Sequence, residues 1–323
     1  MTRISTNRHV ASAFGAVGVL VASLANLSAA DGTNIPSTSG GGKGPSDSST
    51  THSWELPALT VHAGGEHLRE DDIVGTYGQP RWSTRRAFSE VRTYVIPEGQ
   101  FEFEYWLFIK TPSRKDKEDA QGAGNPKPKN KIQQIYEAEM GLGHRLQLDI
   151  YQVYAKDGND GHNALDVTKF ELRYALADWG KLWANPTAYV EWKQYVDGPD
   201  AVEAKILICD ELNERWRWGM NFVFEERMGG TRERGLEWNS AISYTVFDEK
   251  LSIGIETNFA DISELRGEGG ADREHRKHHK EFAAGPSLRF YPIPHAHVIL
   301  TEFIGLNQYA NQSKTAIIIG WEF

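Results

Sequence analysis

Residues 100–110 read QFEFEYWLFIK, and this stretch decides the fold. Phe101, Phe103, Tyr105, Leu107 and Ile109 fall on one side of an extended chain, with Glu102 and Glu104 on the other. A period of two belongs to a strand, because a helix would scatter the two carboxylates among the rings.

Working outward, the same alternation recurs as far as Phe323. Apolar rows run through Tyr136, Ala138, Met140 and Leu142, then Leu146, Leu148 and Ile150, then Phe170, Leu172, Tyr174 and Leu176. They continue at Ala188, Val190 and Trp192, at Ala204, Ile206 and Ile208, and at Trp216, Trp218, Met220, Phe222 and Phe224. Three more follow: Leu236, Trp238, Ile242, Tyr244 and Val246; Leu251, Ile253, Ile255 and Phe259; Phe282, Ala284, Leu288 and Phe290. The stretch 297–307, HVILTEFIGLN, alternates poorly and leaves the direction of Glu302 open; it counts as an eleventh strand. Residues 314–323 supply the twelfth, with Ile317, Ile319, Trp321 and Phe323 on one face. An even total returns the chain end to the side of entry, so residues 99–323 are expected to form an all-β, closed antiparallel transmembrane barrel of about 12 strands.

The connections alternate in length. Gly143-His144, Leu212-Asn213-Glu214 and Asp248-Glu249 are tight, whereas 111–128, 157–165 and 264–277 are long, charged and Gly-rich. Short turns at one rim and longer loops at the other are the pattern of outer-membrane barrels, with the 180–186 link an exception.

Charge segregation chooses between lipid and a dry core. The apolar rows of the first ten strands hold no charge, whereas the opposite face holds Glu102, Glu104, Glu137, Glu139, Asp149, Glu171, Arg173, Glu191, Lys193, Lys205, Arg217, Glu225, Glu256 and Arg289, together with Glu203, Arg215, Glu237 and Glu281. A charge at the bilayer midplane costs roughly 2–4 kcal/mol, while a wet lumen tolerates many. Twelve strands enclose more space than side chains can fill, so a soluble inside-out barrel would be hollow. Trp179, Tyr195, Trp216 and Trp321 are expected near strand ends, where aromatic residues suit the headgroup region.

The N-terminus carries Arg3 and Arg8, an apolar run from Val10 to Leu27, and Ser28-Ala29-Ala30, the order of a cleaved secretion signal spanning 1–30. Residues 31–53 are a Ser/Gly/Thr-rich linker. Residues 54–98, too polar for a barrel strand, are expected to form a periplasmic segment that sits at the rim or plugs the lumen. Net charge is −9 with a pI near 5.7 and no basic run, which argues against nucleic-acid partners. One cysteine, Cys209, excludes an intramolecular disulfide framework and reads as a wall residue.

The C-terminal KTAIIIGWEF resembles the signal by which the barrel-assembly machinery recognises bacterial outer-membrane barrels, carried by Ile317, Ile319, Trp321 and Phe323. The lead-in Tyr94-Val95-Ile96-Pro97-Glu98-Gly99 into FEFEYW resembles the opening of the phenol-degradation-pathway outer-membrane family. That resemblance implies a pore-like barrel in outer-membrane lipid, passing small polar solutes, and brings no catalytic motif.

Two acids for every base on the inner face would favour cations or neutral polar solutes over anions. The alternative is a salt-bridged, closed lumen, for instance with Glu171 or Glu191 meeting Arg173 or Lys193. Twelve-stranded outer-membrane phospholipases place His and Ser two apart on one strand, and none of the 11 histidines here has Ser at that spacing. No catalytic residue, metal site or cofactor is therefore assigned. His275, His278 and His279 lie among Arg276, Lys277 and Lys280, which repel a cation; His295 and His297 show no carboxylate partner in the sequence, and nothing marks a subunit interface.

Overall fold

The computed structural model describes residues 73–74, 79–80, 86–158, 161–213, 215–247, 250–265, 276–293 and 295–323, all within one compact unit, Thr60–Phe323. The expected signal (1–30), the linker (31–53) and most of 54–85 lie outside the described residues.

A two-rung ladder pairs β1 (Ile73–Val74) with β2 (Gln79–Pro80). The barrel strands are β3 (Phe101–Lys110), β4 (Lys131–Gly143), β5 (Leu146–Asp157), β6 (Ala164–Ala175), β7 (Thr187–Tyr195) and β8 (Ala201–Glu211). They continue as β9 (Trp216–Arg227), β10 (Arg234–Phe247), β11 (Leu251–Leu265), β12 (Arg276–Ile293), β13 (Ala296–Gly305) and β14 (Ser313–Glu322). Each pairs antiparallel with its sequence neighbours, and β14 closes on β3 from Lys314 opposite Lys110 to Glu322 opposite Glu102. The barrel is thus closed and antiparallel with twelve strands, which leaves no edge to pair with a second chain.

The two faces separate as the alternation requires. Outward residues such as Trp238 and Ile255 are 49% and 58% exposed, while inward carboxylates such as Glu104, Glu137 and Glu256 are wholly buried. Apolar residues outside and charges inside are the arrangement of a barrel whose solvent is lipid. In β13 the buried row is His297, Ile299, Thr301 and Phe303, which puts Glu302 on the outward row, where its carboxylate accepts from Thr315 Oγ1.

Several sequence expectations need correction. Trp179 and Tyr195 do not face lipid: Trp179 is buried edge-on against Tyr94, and Tyr195 takes Arg227 over its ring at 4.3 Å, whereas Trp216 and Trp321 are exposed outside. Arg215 lies exposed in the turn before β9 and donates to Thr245 O, so it is not part of the inner wall. The 111–128 link is not only loop, since it contains helix α1 (Arg114–Gly122). Ser113 caps it, accepting from Asp116 N while Asp116 accepts from Ser113 N, a capping box that satisfies two otherwise orphaned donors.

The interior has small apolar clusters instead of one core. Two of them form around residues that precede the first barrel strand: Ala87, Phe88 and Val91 with Ala241, and Tyr94 and Val95 with Ala175, Trp179 and Cys209.

Candidate functional site

The barrel register assembles the inner charges into a continuous row. Glu322 faces Glu102, Glu102 faces Glu139, Glu139 faces Asp149 and Asp149 faces Glu171; the series continues through Glu191 and Glu203 to Glu225. Eight adjacent strands thus each contribute one carboxylate to a single cross-strand row, which climbs the tilted wall from the last residue of β14 to the far end of β9. Like charges directly opposite one another are destabilising in a sheet, so this girdle needs cations.

Glu102, Glu104, Glu137, Glu139, Asp149, Glu171, Arg173, Glu191, Lys193, Arg217, Glu256 and Arg289 are buried, and Lys205 and Glu225 line the internal cavity. Along β5 to β9 the wall supplies its own countercharge. Arg173 lies 3.0 Å from Asp149 and 2.6 Å from Glu171; Lys193 lies 2.6 Å from Glu203 and also meets Glu225; Lys205 lies 2.6 Å from Glu203.

Along β3 and β4 the countercharge comes from elsewhere. Residues 86–98 run inside the barrel, and Arg86 Nε donates to Glu104 at 2.7 Å while its Nη2 donates to Glu137 at 3.3 Å. Arg92 donates to Glu139 at 2.8 Å, to the Tyr151 hydroxyl at 3.0 Å, and to Glu137. Both guanidinium groups also lie over the Trp106 indole, at 4.1 and 5.2 Å from its centre. The carboxylates that Arg92 meets hold its proton well above the ordinary guanidinium range, although burial alone would favour losing it.

The same segment is tied around the wall. Glu256 accepts from Ser89 N, Ser89 Oγ, Glu90 N and Thr301 Oγ1, all at 3.0–3.1 Å. Glu90 pairs with Lys314 at 2.6 Å; burial pushes its proton affinity up, and the nearby ammonium more than offsets this, so the carboxyl lies below its usual range. Arg173 donates to Tyr94 O, and Ile96 N donates to Gln147. Twelve strands leave a gap that wall side chains cannot close, and residues 86–98 occupy it.

Gly141 makes room for the lower end of this segment, since a Cβ there would sit 1.9 Å from Pro97 O. Gly141→Val is therefore expected to cost about 1–3 kcal/mol of barrel stability. Gly235→Ala, whose new Cβ would meet nothing nearer than 4.0 Å, should change nothing; urea unfolding in lipid vesicles compares the two.

His297 is the interior residue whose partners sequence reasoning missed. Its ring lies across Gly320 of β14 and reaches β3, with Nδ1 3.2 Å from Glu102 and Nε2 3.0 Å from Glu104. A Cβ on Gly320 would lie 2.1 Å from the imidazole, so glycine is required for the crossing. The legible signal was a pair: an inward His on one strand, and a glycine between it and two glutamates in the barrel's closing seam. Glu102, Glu104 and His297 together offer three metal-ligating atoms, as do Glu104, Glu137 and Glu139. In both groups Arg86 already lies within 4 Å of a carboxylate. Of the surface histidines, His278 pairs with Asp261 at 3.1 Å and His279 with Glu281 at 3.3 Å; His275 lies outside the described residues.

Toward the longer loops the interior opens into a cavity of about 440 Å³, lined by the β6 to β9 part of the carboxylate row and by Arg86, Glu90, Arg92, Lys110, Glu237 and Lys314. These features define the class: a transmembrane β-barrel of the outer-membrane type, with an internal segment beneath a polar vestibule.

Neither a protein-family model nor a curated protein sequence matches the chain. Among solved structures it is similar to the NanC porin, at 10% identity over 68% of this chain and 98% of that one, with a TM-score of 0.47. It is also similar to an outer-membrane channel from Pseudomonas putida F1, at 12% identity over 73% and 100% of the two chains, with a TM-score of 0.49. LpxR from Salmonella typhimurium is similar at 9% identity over 68% and 99%, with a TM-score of 0.38.

Proposed function

We propose that this protein is a bacterial outer-membrane channel for small polar solutes, closed at rest by residues 86–98. The observation that carries the reading is the combination of an apolar exterior with a charged interior that holds a roomy vestibule above a pinned segment. An acidic girdle focuses cations, so cationic and neutral solutes are favoured over anions. Residues 1–30 would direct export and 31–53 would tether the internal segment. Ile317, Ile319, Trp321 and Phe323 lie on the outward row of the last strand and its end, where the assembly machinery and then lipid would meet them. No hydrolytic role is proposed, because the neighbours within hydrogen-bond reach of His297 are carboxylates and not a serine hydroxyl.

A reversible lock tests this. A Cβ at Gly219 would lie 2.8 Å from Val91 Cγ1, close enough for a disulfide between cysteines at the two positions. Cys209 Cβ would be 3.6 Å from the same point, so Cys209 is replaced by Ala. In planar bilayers the V91C/G219C/C209A protein should show no openings when oxidised and should recover the openings of C209A when reduced. Openings that continue unchanged in the fully cross-linked protein would refute closure by this segment.

A further inference from the structure

The clearest unexplained feature is how the two plug arginines are housed. An arginine that only neutralised a carboxylate would need one partner. Here two guanidinium groups share Glu104, Glu137 and Glu139, take a tyrosine hydroxyl as a further acceptor, and lie against one indole ring. Planar forks matched to several carboxylates, with an aromatic plate for the delocalised cation, are the means by which proteins recognise guanidinium and discriminate it from ammonium.

Two observations indicate that the internal occupant can be replaced. The fit is incomplete: Arg86 Nη1 is buried with no hydrogen-bond acceptor. Both arginines line the 440 Å³ vestibule, a volume within the roughly 300–1,000 Å³ of small-ligand pockets, so a solute reaches them without crossing the barrel wall. The vestibule also carries Lys110, which has no carboxylate within ion-pair distance among the described residues and would suit an acidic group elsewhere on the same solute.

We propose that Glu104, Glu137 and Glu139, with Trp106 and Tyr151, form a guanidinium-binding site that Arg86 and Arg92 occupy from within the chain, and that a small solute bearing a guanidinium group enters from the vestibule and takes their place. The inference deepens the channel reading by naming its substrate class and its opening signal. Binding is measured without conductance, so it can fail while the channel reading stands, and the reverse also holds.

The test is calorimetric titration of the full chain in detergent with L-arginine, using L-lysine as a control of equal charge. An internal occupant lowers apparent affinity by the fraction of time it is seated, so the R86A/R92A protein should bind L-arginine about tenfold or more tighter than the wild type. L-lysine should bind more weakly to both, and adding Glu137→Gln should abolish the gain. Equal binding of the two amino acids, or equal affinity in wild type and variant, would overturn the proposal. If R86A/R92A does not fold, S89C/C209A retains both arginines and reports displacement. L-arginine, and not L-lysine, should then raise its labelling rate by a membrane-impermeant maleimide several-fold, and an unchanged rate would overturn the proposal equally.

Discussion

A chain lacking residues 54–98 is expected to conduct several-fold more current per channel than the intact protein, and to prefer cations more strongly. The size argument comes first. Phe88, Val91, Val95 and Ile96 are almost wholly buried inside a twelve-stranded wall, whose own side chains cannot fill so wide a centre. The charge argument sets the selectivity. With Arg86 and Arg92 removed, Glu102, Glu104, Glu137 and Glu139 keep His297 as the one basic wall residue within ion-pair distance of them among the described residues, while β5 to β9 retain Arg173, Lys193 and Lys205. These four carboxylates would thus gain water and lose both guanidinium partners, while Glu90 leaves Lys314, and unneutralised carboxylates select cations. Single-channel recording under a salt gradient reads both quantities: current amplitude gives the first and reversal potential the second. A larger current with unchanged selectivity would mean that the girdle does not face the conducting path. Unchanged current would mean that these residues do not block it.

What could be read beforehand followed from period. Strand number, closure and the direction of nearly every side chain were legible because a bilayer forbids charge on one face, and the sequence obeys that rule over ten strands. Glu302 shows where it fails. Near a strand end the outward row can hold a carboxylate that finds Thr315, so the alternation blurs there and the direction was unreadable. Helix α1 was hidden in a charged link because its evidence is a single Ser113-to-Asp116 spacing. The internal segment was harder still, since residues 86–98 have no period. Their path is set by contacts far apart in the chain, such as Ser89 with Glu256 and Glu90 with Lys314. His297 depends on the closing seam, where β3, distant in sequence, becomes the neighbour of the β13–β14 hairpin and Gly320 leaves the space between His297 and the two glutamates.

Arg92→Met should be the most damaging single substitution in the interior, at about 3–5 kcal/mol, because removing one partner of a buried ionic network strands the others. Methionine keeps much of the length and apolar stem, so lost packing is a minor part of the change. What disappears is the donor set toward Glu137, Glu139 and the Tyr151 hydroxyl. Glu137 retains one longer contact to Arg86, at 3.3 Å, and Glu139 only a 3.7 Å approach and the Gln147 amide. Arg92→Lys should recover part of the loss, since an ammonium supplies the charge but cannot fork between two carboxylates. Adding Glu137→Gln to Arg92→Met should recover part by a different route, removing the stranded charge itself, so the double variant ought to be more stable than the sum of the two single losses. The control is Lys115→Met in α1, whose pair with Asp119 is open to water on both sides and should contribute nothing measurable. Urea titration of the refolded proteins in lipid vesicles yields all of these differences. If Arg92→Met unfolds at the wild-type midpoint, water must already hydrate Glu137 and Glu139 at rest, and the arginines would then be passengers in an open lumen instead of its seal.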